Sequence, residues 1–316
     1  MIRSADRPMI ELCNLHRFFG KTRAVDNVSF EVHSGEVFGY IGPNGAGKTT
    51  SMRILATLDQ PDYGDAYVDG FSVVNDPDRV RRRLGFMPDY FGTYANVNVR
   101  EYLDFFARAY GLRGKERLAA LRRTMGFTQL DGLADKPISG LSKGMKQRLC
   151  LGRSMVHDPS VLVLDEPAAG LDPRARIQLR EMVRALADQG KAVLISSHIL
   201  TELAEMCDKV GIIEQGALLA VGSVDEIEGA QPGQATVQVR VLRNASSLAQ
   251  WLSQRSDVLE YRLDGELVFF MHDGDRESEA EILKEMIAAG FRVVAFGSQK
   301  KTLEDVFMQV TEGRVQ

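Results

Sequence analysis

The order of apolar segments predicts an α/β chain with a largely parallel sheet, followed by a smaller α+β domain. Three observations carry this expectation. From residue 9 to about 228, short apolar runs alternate with longer amphipathic ones, as strands joined by helical crossovers do. Residues 89–159 interrupt that rhythm with three segments of helical spacing and no strand between them. Beyond residue 234 the order becomes strand, helix, strand, strand, helix, strand, the order of a ferredoxin-like unit. The expected domains are therefore 1–228, with a helical subdomain at about 89–159, a linker at 229–234, and 235–316.

Each element follows from local pattern. Residues 10–15 and 28–32 read as strands of an antiparallel edge sheet. Glu36-Val37-Phe38-Gly39-Tyr40-Ile41 reads as a buried strand, and 51–56 as a helix. In the helical stretch, 100–110, 115–125 and 142–156 carry amphipathic spacing. Val161-Leu162-Val163-Leu164, Ala192-Val193-Leu194-Ile195 and Val210-Gly211-Ile212-Ile213 are short and apolar throughout, as strands covered on both faces are. Glu228-Gly229-Ala230-Gln231-Pro232-Gly233-Gln234 reads as a linker. After it come strands at 235–242, 258–263, 266–271 and 291–296, helices at 245–254 and 277–289, and a last helix at 302–310. Asp264-Gly265 is a favoured two-residue hairpin turn.

Composition bounds the function. The 316 residues are 44% hydrophobic and 26% charged, a globular balance. A net charge of −4 supplies no electrostatic case for a nucleic-acid partner. Arg79, Arg81, Arg82 and Arg83 read as the solvated end of a helix. Cys13, Cys150 and Cys207 are far apart and form no C-x-x-C pair, so neither a zinc site nor a redox framework follows. The first residues lack the apolar core of a signal peptide, and no apolar run approaches the ~20 residues that span a bilayer. The expectation is a soluble, cytoplasmic chain whose membrane role, if any, comes through a partner.

Gly42-Pro43-Asn44-Gly45-Ala46-Gly47-Lys48-Thr49-Thr50 fits G-x-x-x-x-G-K-[ST], the phosphate-binding loop, and it sits between a strand and a helix as the motif requires. Its glycines let successive backbone N–H groups turn inward around phosphate oxygens. The helix N-terminus adds partial positive charge. Lys48 is expected to reach the β- and γ-phosphates of a nucleoside triphosphate, and Thr49 to offer its hydroxyl to Mg²⁺. Asp165 and Glu166 follow the apolar run at 161–164. An Asp there can hold Mg²⁺, and a second carboxylate can polarise the attacking water. Asp165 is assigned the metal role and Glu166 that of general base.

Leu141-Ser142-Lys143-Gly144-Met145-Lys146-Gln147-Arg148 then resembles the signature motif of ATP-binding-cassette (ABC) ATPases, whose pattern is L-S-G-G-Q. Lys143 and Met145 depart from it; Ser142 and Gly144 match. The resemblance implies a P-loop NTPase fold of the ABC type and ATP with Mg²⁺ as cofactors. It also implies a homodimer in which Ser142 and Gly144 of one copy face the γ-phosphate held by the other. His198 resembles the family's switch histidine. Ala168-Ala169-Gly170-Leu171-Asp172 resembles the D-loop, and Phe19, before Gly20, takes the place of the adenine-stacking aromatic. Where the family has a Q-loop glutamine, Met87-Pro88 leads into Asp89. An aspartate can still ligate magnesium, so Asp89 is expected to keep a sensing and metal-binding role with altered placement of water.

Signatures of the LSKGMKQR kind, with a tail like Ser298–Thr311, resemble the ATPases that drive ABC-2-type exporters. That subgroup implies an ATPase bound to the inner face of the membrane through an ABC-2-type permease, and an accessory or regulatory C-terminal domain. Tyr90, Phe91, Tyr94, Val97 and Tyr102 are candidates to receive a short helix of the permease. The alternative, an ABC ATPase acting on nucleic acid or ribosomes, meets two objections: the chain has one phosphate loop, and it has no sustained heptads. Cargo is not legible in the sequence.

Overall fold

The computed structural model describes residues 7–90, 92, 96–227, 236–272, 275–299 and 303–311. The chain divides into two units, which meet in sequence at Gly222 and Ser223. The first contains β1 (Ile10–Phe19), β2 (Thr22–Val32), β3 (Val37–Ile41), α1 (Lys48–Leu55), β4 (Tyr63–Val68), β5 (Phe71–Ser72), α2 (Pro77–Arg81) and β6 (Leu84–Met87). It continues with α3 (Val99–Ala109), α4 (Gly114–Phe127), α5 (Lys143–Met155), β7 (Val161–Leu164), α6 (Pro173–Asp188), β8 (Ala192–Ser197), α7 (Leu200–Ala204), β9 (Lys209–Glu214) and β10 (Ala217–Ser223).

Six strands form one sheet in the order β10-β9-β3-β8-β7-β6. Within it β9, β3, β8, β7 and β6 run parallel. Every residue of β3, β7 and β8 is buried, which is why these segments are apolar without alternation.

β1 and β2 are antiparallel and lie outside this sheet, as their pattern predicts. They belong to a second sheet of order β2-β1-β4-β5, whose last two strands the apolar pattern had not disclosed. Apolar side chains of both sheets, among them Ile10, Val25, Phe38, Tyr40 and Val163, share one core with Met52, Ile54 and Leu55 of α1. Alternation reveals that a strand is covered on one face; it does not reveal which sheet it joins.

The helical stretch closes around its own core of Val99, Tyr102, Leu103, Leu121, Ile138 and Leu149. Asn98 caps α3 by accepting the Glu101 N–H at 2.8 Å, and Glu101 in turn accepts the Asn98 N–H at 3.0 Å. α5 lies directly on β6. A Cβ on Gly85 would stand 2.0 Å from the Ser154 carbonyl oxygen, so this crossing tolerates hydrogen only. The guanidinium groups of Arg79 in α2 and of Arg83 just after it lie over Phe71, at 5.2 and 4.3 Å from the ring centre. Cys13, Cys150 and Cys207 are free thiols, and burial pushes that of Cys150 up to about 11.

The second unit contains α8 (Val224–Ile227), β11 (Thr236–Val241), α9 (Ala245–Leu252), β12 (Val258–Asp264), β13 (Leu267–His272), α10 (Arg276–Ala288), β14 (Val293–Gln299) and α11 (Leu303–Val310). Its antiparallel sheet has the order β12-β13-β11-β14. Leu248 and Leu252 of α9, and Ile282 and Met286 of α10, cover Val237, Val239, Val268 and Phe270. The loop between β12 and β13 is Gly265-Glu266, one residue later than the Asp264-Gly265 pair suggests, with Gly265 at φ +60°. Glycine therefore takes the first loop position, where a positive φ costs it least. The predicted linker at 229–234 lies outside the described residues.

Two predictions follow from this packing. Gly85→Ala should lower the stability of the first unit by about 3 kcal/mol, read as a drop in the urea midpoint, since the backbone of α5 must move. An unchanged midpoint would contradict the close crossing. The second concerns His157, whose ring stacks on Tyr110 with centres 3.6 Å apart. Burial lowers its imidazole from 6.5 to about 4. The unfolded chain takes up this proton near pH 6.5 and the folded chain only near 4, so its contribution to stability is complete above 6.5 and lost as pH falls to 4. The loss is at most about 3 kcal/mol. His157→Phe should keep the stack and shrink the difference between urea midpoints at pH 4.5 and 7; an undiminished difference would place the acid sensitivity elsewhere.

Candidate active site

The site is assembled by strand register. Leu164 pairs with Ile195, so Asp165 comes level with Ser196. Ile41 pairs with Ser197, so Gly42 comes level with His198. Three segments remote in sequence thus end together at the carboxyl edge of the parallel sheet, where ligands of open α/β sheets bind.

From β3 the chain enters the loop at Gly42. A Cβ there would stand 2.3 Å from the Ile213 carbonyl oxygen of β9; at Gly47 it would stand 2.1 Å from that of Ala24 in β2. Both glycines are therefore needed for close backbone approach, and Gly47 also sits at φ +105°. Asn44 and Gly45 form the exposed tip, whereas Ala46 is buried and its carbonyl accepts the Gly216 N–H at 3.0 Å. Gly47 caps α1 without any side-chain hydrogen bond, leaving the N–H groups of Lys48, Thr49 and Thr50 for an outside acceptor. Thr49 is exposed and Thr50 half-buried in the first turn.

Lys48 is buried, and its Nζ donates to the carbonyl oxygens of Gly42 at 2.6 Å and Pro43 at 3.1 Å. Burial lowers its ammonium below the ordinary lysine range, and the Glu166 and Asp165 carboxylates oppose that shift. Glu166 Oε1 lies 3.6 Å from Lys48 Nζ. Its other oxygen, Oε2, is 2.8 Å from His198 Nδ1. Asp165 is buried, which raises its carboxyl above the usual range, and hydrogen bonds from Ser196 and Thr49 pull the other way. The negative charges of Glu166 and Asp89 add to the rise. Asp89 is exposed, two residues beyond the end of β6, near enough for its charge to act on Asp165.

Ser196 is the residue that sequence reasoning missed. Its hydroxyl donates to Asp165 Oδ1 at 2.7 Å and accepts the Glu166 N–H at 2.8 Å, so one buried side chain positions both carboxylates. Glu166 needs that hold, because its backbone is left-handed at φ +48°, an uncommon state for a residue with a Cβ. The available signal was the polar pair Ser196-Ser197 ending an otherwise apolar strand.

Ser142 and Gly144 are not gathered with these groups. Ser142 caps α5 by accepting the Met145 N–H at 3.3 Å, and a Cβ on Gly144 would meet that of Ala175 at 3.0 Å. They line a pocket with Leu171, Asp172 and Arg174, and no residue of the phosphate loop lines it. Phe19 ends β1 and is 50% exposed, with the Arg17 guanidinium over its ring at 4.7 Å. Ala24, farther along the same hairpin, abuts Gly47. Of the candidates for a permease groove, Tyr90 is 82% exposed, but Tyr102 is only 2% exposed and belongs to the helical core, at 5.0 Å from Phe106. Tyr102 is therefore a packing residue, placed there by the buried face of α3. Val97 packs against the same core, and Phe91 and Tyr94 lie outside the described residues.

The chain is similar to known proteins in both of its units. Residues 25–169 match the family model of the ABC transporter, and residues 222–311 match that of the ATP-binding protein DrrA1-3-like, C-terminal domain. Nod factor export ATP-binding protein I of Burkholderia lata is 34% identical over 97% of this chain and 98% of its own length. The protein of that name from Sinorhizobium fredii is 34% identical over 98% of this chain and 88% of its own. Among solved structures, an ATP-binding subunit of an ABC transporter superposes with a TM-score of 0.64 and 29% identity, covering 70% of this chain and 92% of that one. Matched along nearly its whole length, and carrying the phosphate loop and paired carboxylates at one sheet edge, the chain belongs to the ATP-binding subunits of ABC transporters.

Proposed function

We propose that this chain hydrolyses ATP at the carboxyl edge of β3, β8 and β7 and thereby powers a separate ABC-2-type membrane permease in export. The observation that carries the chemistry is the chain of contacts from Lys48 through Glu166 to His198 beside an uncapped helix start. The relatives' names as export ATP-binding proteins, and the match of the second unit, support the direction and the kind of permease. Among the described residues no helix is long and apolar enough to cross a membrane, so the permease is taken to be a different chain that holds this one at the inner membrane face.

The residues fit the nucleotide. The glycine approaches leave room for phosphate oxygens where a Cβ would intrude, and the Lys48 ammonium can exchange the Gly42 and Pro43 carbonyls for them. Phe19 offers an exposed ring for adenine. Thr49 and Asp165, near enough for the hydroxyl to act on the carboxyl, form an oxygen donor set suited to Mg²⁺, with Asp89 close by. The ion supplies charge neutralisation on the β- and γ-phosphates when bound. Glu166 accepts the proton of the attacking water on Oε1, while His198 steadies Oε2 and Ser196 holds the backbone N–H.

Ser142 and Gly144 lie in a pocket apart from the phosphate loop, so within one chain they serve no phosphate. Their place in the scheme is opposite a second copy, whose ATP they cover when two chains close head to tail. ATP bridging both faces binds the closed state better than the open one and shifts the population toward it. The second unit is assigned an accessory or regulatory role.

Glu166→Gln should bind ATP yet hydrolyse it about 10²–10⁴ times more slowly. It should elute as a dimer in gel filtration with ATP and Mg²⁺; a monomer under those conditions would contradict the closure scheme. Ser196→Ala should lower the turnover number and cost about 1–3 kcal/mol in stability, because Asp165 and the Glu166 N–H lose a buried partner together. Turnover equal to the parent's would show that Ser196 is dispensable for positioning.

A further inference from the structure

Phe19, the platform to which the base of the nucleotide is assigned, stands at the end of β1 where the pairing with β2 is irregular. The register shifts on both sides of Arg17, so the strand ladder alone does not fix the side chains beyond it. Side-chain contacts do. The Arg17 guanidinium lies over the Phe19 ring, 4.7 Å from its centre. Two carboxylates of the segment between α1 and β4 grip that guanidinium: Asp59 Oδ1 is 3.0 Å from Nη2, and Asp62 Oδ1 is 3.3 Å from Nη1. Asp62 is itself fastened to β1. Its other oxygen accepts the Phe18 N–H at 2.6 Å, and its own N–H donates to the His16 carbonyl at 2.8 Å. The Arg17 side chain is only 23% exposed, whereas half of Phe19 is open to solvent.

We infer that Arg17 is a positioning residue for the base of the nucleotide: it occupies one face of the Phe19 ring, holds the ring still, and leaves the other face for stacking. The inference rests on Phe19 being the adenine platform. A phenyl ring at a hairpin end must be immobilised when a base stacks on it, at a cost in side-chain entropy. The guanidinium meets much of that cost beforehand, because cation–π attraction holds the ring and the two carboxylates hold the cation. Arginine suits the task, since the edge of its planar fork can meet carboxylates while its face lies on the ring. The anchor also sets where the platform stands. Asp59 and Asp62 follow α1, the helix that the phosphate loop opens. The two ion pairs therefore tie the base platform on β1 to the segment that leaves the triphosphate site, so that ring and phosphate loop are placed relative to each other before a nucleotide arrives.

Titration calorimetry of the full chain with ADP, and with tripolyphosphate as a ligand that has no base, tests this. Arg17→Met keeps an unbranched side chain but removes the charge and the fork. It should weaken ADP about three- to tenfold and leave tripolyphosphate binding as in the parent. Asp59→Asn combined with Asp62→Asn, which frees the guanidinium, should act in the same direction. Phe19→Ala should weaken ADP as well, and adding Arg17→Met to it should cost nothing further, since Arg17 acts through the ring. Equal losses for ADP and tripolyphosphate would make Arg17 a residue of the fold alone and overturn the inference. So would an ADP affinity that Phe19→Ala lowers and Arg17→Met leaves unchanged. An ADP affinity indifferent to Phe19→Ala would instead remove Phe19 as the platform, and this inference with it.

Discussion

The parallel register of β3, β8 and β7 is the constraint on which the rest of the first unit depends. It makes Gly42, Asp165 and His198 neighbours although they come from separate strand ends. A slip of one residue would turn each strand's side chains to the other face. Because every residue of these strands is buried, the cost of such a slip would fall on the whole core. The rigidity of the site is thus inherited from the packing beneath it, where apolar side chains of two sheets and of α1 share one core.

Charge balance depends on that rigidity. Lys48, Asp165 and Glu166 are drawn out of water by the same approach that brings them together. Burial pushes Lys48 and Asp165 toward their neutral forms, lowering the ammonium and raising the carboxyl. The attraction of the Asp165 and Glu166 carboxylates for Lys48, and the hydrogen bond that Ser196 donates to Asp165, oppose that tendency. Such a cluster is suited to a highly charged ligand. Phosphate oxygens can take over the role of the loop carbonyls toward Lys48, and a divalent cation can take over that of the Thr49 hydroxyl toward Asp165.

The signature residues show the opposite logic. Ser142 and Gly144 are positioned by α5 and the start of α6, where Asp172 accepts the Ala175 N–H at 2.9 Å. Their geometry is complete within the chain, and no phosphate-loop residue lines the pocket they share. In the proposed scheme that pocket works against another copy.

The sequence by itself determined the groups to which the chemistry is assigned in the proposed scheme. Gly42 to Thr49 and Asp165-Glu166 are local patterns, and the turn, helix start and strand end they need lie within a few residues of them. The β-α-β-β-α-β order was legible for the same reason, since period and turn chemistry are local. Tertiary structure decided what rests on distance. It placed β1 and β2 in a sheet of their own with β4 and β5, buried Tyr102 in the helical core, and made Ser196 the bridge between two carboxylates. It also showed that Gly42 and Gly47 are required as much by the Ile213 and Ala24 carbonyls as by phosphate. None of these could be read from spacing, because each depends on which strand lies beside which and in what register, and that is set by burial of the whole core rather than by any segment of it.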